Sequence, residues 1–174
     1  MNVAAANVTR LSSTIYRLLI LSFLFMTSLG CGSTEQHTKS SGPFTGEISA
    51  KHLIEQYSHF RSGYNNYQPS PAEIAAVAEL SGKKLVVLFG TWCHDSEREV
   101  PRLLKLLDLS GVELQELSLY GVNYNKEEPS NLHQKFNLVS SPTIILLQDD
   151  IELGRIIEKP VKSLGEDLAE FVAD

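Results

Sequence analysis

The chain has 174 residues, 43% of them hydrophobic and 21% charged, with two cysteines and a formal net charge of −6. That globular balance excludes a disordered, collagen-like or multi-span membrane protein, and two cysteines are too few for a disulfide-stapled scaffold or a zinc ribbon. An acidic chain without a basic cluster is not a nucleic-acid binder, so one soluble core plus a leader fits this length.

Residues 1–30 read as that leader, a signal peptide. Every Asp and Glu lies after Cys31, and only Arg10 and Arg17 are charged before it. The apolar run Leu18 to Leu29 ends in Ser28-Leu29-Gly30-Cys31, giving the basic, apolar and small-residue order of a secretory signal. It is shorter than the about 20 apolar residues a spanning helix needs. Gly30-Cys31 resembles a bacterial lipobox, which implies that Cys31 is diacylated and becomes the new N-terminus, although Ser28 stands where such boxes usually carry Leu. A plain cleaved signal or an uncleaved anchor is the alternative. Lipidation would tether the protein to a membrane in the periplasm or cell envelope, and Gly32 in place of an inner-membrane retention Asp points to the outer membrane. Removing residues 1–30 takes away two arginines and no acid, which moves the formal charge from −6 to −8. Residues 31–46, rich in Gly, Ser, Thr and Lys, read as a flexible tether, and 47–174 as the folded domain with an N-terminal helical extension.

The elements follow in chain order. Apolar residues at Ile48, Leu53, Ile54, Tyr57 and Phe60 predict a helix that the Gly63-Tyr64-Asn65-Asn66 stretch ends. Ser70-Pro71 opens a second helix over 72–80, closed by Ser81-Gly82. The continuous apolar run Leu85 to Phe89 predicts a strand buried on both faces, with Lys83-Lys84 as its solvated entrance. After Thr91-Trp92-Cys93-His94-Asp95-Ser96 a helix runs to Asp108, and Pro101 inside it should kink it. A strand over 114–122, a short helix over 129–136, a hairpin of 143–147 and 151–157 around Gln148-Asp149-Asp150, and a last helix over 163–172 with a Ser163/Glu166 capping box complete the chain. This order predicts an α/β fold, a mixed central sheet sandwiched by helices.

The chemistry gathers at the junction of the buried strand and the helix. There Cys93 meets unpaired backbone N–H groups and the positive end of the helix dipole, which favour negative charge on its sulfur and make it the candidate nucleophile. A protonated His94 would reinforce that effect and Asp95 would oppose it. Cys93, His94 and His133 form no metal-ligand spacing, so no metal or other cofactor is expected. His52 and His59, and the tyrosines at 57, 64 and 67, are read as structural.

A strand ending Phe89-Gly90-Thr91-Trp92-Cys93, the helix with Glu97-Arg98-Glu99-Val100-Pro101 and the later Ser140-Ser141-Pro142-Thr143 before a strand together resemble bacterial thioredoxin-like proteins over about residues 70–174. The resemblance implies a thioredoxin-like fold, a cis Pro142 beside the cysteine, substrate contact at Trp92, Ser141 and Pro142, and thiol–disulfide chemistry. Two departures qualify it. Ser96 occupies the second cysteine position of Cys-x-x-Cys, and Val87 stands where a buried Asp often assists. Cys93 can therefore attack a protein disulfide, but release needs an external thiol or a reductase partner, because Ser96 cannot resolve the mixed disulfide. Cys31 sits on the tether and is not expected to pair with Cys93. Monothiol disulfide exchange or isomerisation is the leading expectation, a redox-inactive binding module using the cis-proline groove the second, and a thiol peroxidase the third.

Overall fold

The computed structural model describes residues 42–173, so the leader, Cys31 and most of the tether lie outside the described residues. The elements are β1 (Gly46–Glu47), α1 (Ala50–Gln56), α2 (Ser58–Asn66), α3 (Pro71–Val77) continued by one 3-10 turn, β2 (Lys84–Phe89), α4 (His94–Ser110), β3 (Glu116–Gly121), α5 (Leu132–Lys135), β4 (Thr143–Gln148), β5 (Ile151–Ile157) and α6 (Leu164–Ala173). The five strands form one sheet in the order β1-β3-β2-β4-β5. The pair β2 and β3 is parallel, whereas β1 with β3, β2 with β4 and β4 with β5 are antiparallel.

The apolar run of β2 is continuous because both faces of the sheet are covered. Leu85, Val87 and Phe89 point into a large core with Leu53, Phe60, Val77, Leu103, Leu106 and Leu168 from the helices. Val86 and Leu88 point the other way, onto Val122, Phe136, Ile145 and Leu147. Period-two alternation thus divides one strand between two cores. The hairpin turn Asp149-Asp150 has positive φ at both residues, 50° and 64°, the handedness that matches strand twist. Lys84 is not merely solvated as expected, since its ammonium reaches from β2 to pair with Asp150 of this turn at 2.7 Å.

The sequence pattern and the structure part in the N-terminal half. The first predicted helix is two: α1 stops at Tyr57, whose backbone is extended (φ −108°, ψ 107°), and α2 restarts and runs through Gly63 to Asn66. Gly63 is there for proximity rather than as a stop, since a Cβ at this position would stand 2.7 Å from Pro101 Cγ and 3.1 Å from the Glu97 carbonyl oxygen. That carbonyl is the one whose helical partner Pro101 lacks. α4 nevertheless continues past Pro101 to Ser110. Gly46, placed with the tether by composition, begins β1 and pairs with Gly121 of β3. The helix expected over 129–136 is confined to Leu132–Lys135.

A complete capping box forms at a position not singled out for one in the sequence, whereas the expected Ser163/Glu166 box forms through its side chains and one backbone N–H. Ser70 and Glu73 bond reciprocally at the head of α3, with Pro71 in its first turn. The Ser163 hydroxyl accepts from the Glu166 N–H and donates to its carboxylate. Among the described residues no helix is long and apolar enough to cross a membrane.

Candidate active site

β2 delivers the chain to Gly90, and a tight turn brings it to the head of α4. The Cys93 N–H donates to the Gly90 carbonyl at 3.1 Å, and the Cys93 carbonyl accepts from Glu97 N–H at 2.9 Å, so the backbone of the cysteine is fixed on both sides. Cys93 is the N-cap residue, with extended φ −98° and ψ 122°, and its side chain caps no N–H of α4. Its partly exposed thiol instead donates to the Ser141 carbonyl at 3.1 Å. The next peptide bond, Ser141–Pro142, is cis, as the resemblance implies.

Ser96 lies one helical turn further on and is fully buried. Its hydroxyl accepts from the Gly90 N–H at 3.2 Å and shares a hydrogen bond with the Ser141 hydroxyl at 3.1 Å. The residue at the resolving position therefore ties three segments together: the end of β2, the first turn of α4 and the cis-proline loop. Its hydroxyl thus holds these segments together. The loop is held from its other side as well, because Thr143 Oγ1 donates to the Ser140 carbonyl at 2.7 Å and the Glu158 N–H donates to the Pro142 carbonyl at 2.7 Å.

Trp92 forms the wall of the site. Its indole N–H donates to the Val122 carbonyl at 3.0 Å, and its ring lies 5.1 Å from that of Tyr124 at an interplanar angle of 49°. Gly90 makes the room, since a Cβ there would meet the indole at 2.7 Å. Tyr124 is 66% exposed, and no sequence motif marks it. Its loop is organised by two side chains. Asn123 Oδ1 accepts from the N–H groups of Asn125 and Glu127, and the buried Glu128 carboxylate accepts from those of Ser130 and Leu132 and contacts His133. Burial alone would push the Glu128 carboxyl up, but these donors outweigh it and hold it below its usual value.

Charged neighbours of the cysteine have partners of their own. His94 is exposed, and Asp95 is engaged by Arg98 at 2.7 Å. Arg98 also donates to Glu99 Oε1 at 2.6 Å, and Arg102 reaches the same oxygen at 3.4 Å. Pairing with Glu99 and then with Asp95 raises the Arg98 guanidinium above its ordinary value. Glu99 itself is buried within a helix face otherwise made of Ser96, Val100 and Leu103. Placing residues 96–103 on a helical wheel would have exposed this anomaly in the sequence. His133 belongs to the Glu128 loop, and among the described residues no group of three or more His, Cys, Asp or Glu is placed to hold a metal ion. The tyrosines read as structural pack on the core, with the Tyr64 and Tyr67 hydroxyls donating to Asp108 and Glu73.

A cysteine at a helix head just after a buried strand, a facing cis-proline, the parallel β2-α4-β3 crossover and the terminal β4-β5 hairpin with α6 define a thioredoxin-like α/β fold. No protein-family model matches the chain, and no curated protein sequence does. Several solved structures are similar to it. A protein of unknown function from Pseudomonas aeruginosa is 19% identical over 74% of this chain and 89% of its own, with a TM-score of 0.48. Thioredoxin from Fasciola hepatica is 19% identical over 56% and 88%, with a TM-score of 0.39. Mitochondrial thioredoxin 3 from Saccharomyces cerevisiae, in its oxidised form, is 18% identical over 55% and 86%, with a TM-score of 0.34.

Proposed function

We propose that the protein is an exported, membrane-tethered thioredoxin-like protein in which Cys93 performs monothiol disulfide exchange or isomerisation on protein substrates. The observation that carries this reading is the contact of the Cys93 thiol with the carbonyl preceding cis-Pro142, while a hydroxyl, Ser96, fills the resolving position. Cys93 gives its proton to solvent, and the thiolate attacks one sulfur of a substrate disulfide in line with the S–S bond. A Cys93–substrate disulfide forms and the other substrate sulfur leaves as a thiolate, which takes up a proton. The backbone at Ser141 and Pro142 offers an extended substrate a strand-like partner, with Trp92 and Tyr124 as its apolar wall.

Release requires a second thiolate to attack the mixed disulfide. It comes from the substrate, in which case the reaction is isomerisation, or from an external thiol, in which case the substrate is reduced and that thiol is oxidised. Among the described residues Cys93 is the only cysteine. The lipobox-like Gly30-Cys31 supports tethering at a membrane surface in the cell envelope. Mass spectrometry of the processed N-terminus tests that: a diacylated Cys31 is expected, and an unmodified leader contradicts it.

The second reading is a binding module in which the thiol is chemically idle and the groove beside Pro142 holds a peptide. The engagement of Ser96 by two partners favours it, since the scaffold is intact without a second sulfur. Incubation with a scrambled-disulfide protein separates the two. Exchange that is lost in Cys93→Ala supports the enzyme, and a Cys93→Ala protein that binds the same substrate with no exchange by either form supports the module.

A further inference from the structure

Beside the thiol site lies a cleft of about 450 Å³. Asp95, Arg98, Glu99 and Arg102 of α4 line one side, and Glu158 and Lys159, just beyond β5, line the other. It adjoins the cis-proline loop on which the reacting sulfur rests. The Glu158 N–H is bonded to the carbonyl of Pro142, and the Cys93 thiol to that of Ser141, so the two contacts are one peptide unit apart. Asp95 is two residues after Cys93.

The charges of this cleft are balanced, with three cationic and three anionic side chains, and its partners are incompletely used. Glu99 is 3% exposed; its Oε1 takes both arginines, and its buried Oε2 has no hydrogen-bond partner. An unpaired oxygen of a buried carboxylate calls for a donor. At the rim, Glu158 and Lys159 are exposed and enter no salt bridge among the described residues, while the arginines are half-exposed and keep donors free. A ligand with one ammonium and one carboxylate fits this set. Its ammonium would sit against Glu158 at the rim, above the buried Glu99, and its carboxylate against Lys159 and the free guanidinium N–H groups.

We propose that this cleft binds a small zwitterionic thiol, a free amino acid or short peptide carrying –SH, as the external thiol that releases Cys93. The inference rests on the exchange chemistry assigned to Cys93. The bound thiolate attacks Cys93 Sγ in the Cys93–substrate disulfide and expels the substrate as a thiolate, which is protonated. A second molecule of the thiol then attacks the sulfur of the first, which regenerates Cys93 and releases a small disulfide. In sum, one substrate disulfide is reduced to two thiols and two small thiols are oxidised to one disulfide.

The test uses the full chain with Cys31→Ser, loaded at Cys93 with 5-thio-2-nitrobenzoate so that each release is read by absorbance. L-cysteine, cysteamine, 3-mercaptopropionate and 2-mercaptoethanol are compared, each rate divided by its rate with the free aromatic disulfide. L-cysteine is expected to saturate and to exceed 2-mercaptoethanol by about tenfold after this correction, with the two singly charged thiols between them. Glu158→Gln and Lys159→Gln are expected to remove most of that preference, and Lys159→Arg to retain it. Corrected rates that are equal for all four thiols overturn the proposal, as does a preference unchanged in both Gln variants or one as large for a singly charged thiol as for cysteine. A Cys93 adduct that no thiol releases would instead refute the exchange chemistry itself.

Discussion

The Cys93 thiol and the Ser141 carbonyl are 3.1 Å apart, although 48 residues separate them in the chain. This contact joins the reactive sulfur to the backbone where a substrate strand would lie, and the Ser96 hydroxyl braces it by bonding both Ser141 and Gly90. Position 96 is therefore both the place where the chemistry stops short of a dithiol cycle and the place where the site is held together.

Two substitutions at Ser96 separate these roles. Ser96→Ala leaves the Gly90 N–H and the Ser141 hydroxyl without that partner in a buried setting and is expected to destabilise by about 1–3 kcal/mol, read from the denaturant midpoint. Ser96→Cys supplies a resolving thiol. The introduced sulfur is expected to form a disulfide with Cys93 on oxidation, and the variant to turn over as a disulfide reductase with a dithiol reductant. A Ser96→Cys protein that never closes this disulfide would show that the site is not geometrically competent.

Gly90→Ala should displace Trp92, because the new methyl would begin 2.7 Å from the indole. Overpacking of this kind costs about 1–3 kcal/mol, and the bond to the Val122 carbonyl would be lost with it. The expected readouts are a shifted tryptophan emission, which reports this ring alone because the chain has one Trp, and slower exchange at Cys93. Unchanged emission would mean that the wall of the site is not held as described.

Gly63→Ala sets two effects against each other. Alanine gains about 1 kcal/mol over glycine in a helix interior. Against this, the added Cβ meets the Pro101 ring at 2.7 Å and the Glu97 carbonyl at 3.1 Å, at the contact of α2 with α4. Forcing two packed helices apart outweighs the gain in helix propensity, so a net loss of about 1–2 kcal/mol is expected in urea unfolding. A stabilised variant would contradict the close packing of these helices.

That glycine shows where the sequence was legible and where it was not. The strand Leu85–Phe89, the turn at Asp149-Asp150, the helix start at Ser70-Pro71 and the Ser163/Glu166 cap depend on neighbours in the chain, and their local patterns identified them. The role of Gly63 depends on Pro101, 38 residues away, so the same residue read locally as a helix stop. Likewise, nothing near Tyr57 announces the break between α1 and α2. At the site, Cys93, Trp92, Ser96 and Pro142 were legible as a motif, including the cis bond. Tyr124 was not, because its place beside Trp92 is created by a loop whose shape rests on Asn123 and Glu128. The Arg98, Glu99 and Arg102 cluster was not read from the sequence, although the place of Glu99 on the apolar face of α4, between Ser96 and Leu103, carries its signal.

The Glu128 loop carries a pH dependence of definite sign. Burial raises its carboxyl, the N–H donors of Ser130 and Leu132 and the His133 ring lower it, and the net is a value depressed below 4.5. A depressed folded-state value contributes stability that is fully present above the unfolded value and is lost as pH falls through the folded one. Glu128→Gln is therefore expected to lower the urea midpoint at neutral pH, with the gap from wild type narrowing below about pH 4.5. A gap that is constant down to about pH 3 would show that the carboxylate charge is not what holds this loop.

The most direct test of the central claim is intact-mass analysis of the full chain after brief incubation with a scrambled-disulfide protein and acid quenching. A Cys93–substrate disulfide, mapped by peptide analysis and absent from Cys93→Ala, is the expected result. No adduct at Cys93, together with rearrangement of the substrate at the same rate by Cys93→Ala, would contradict it.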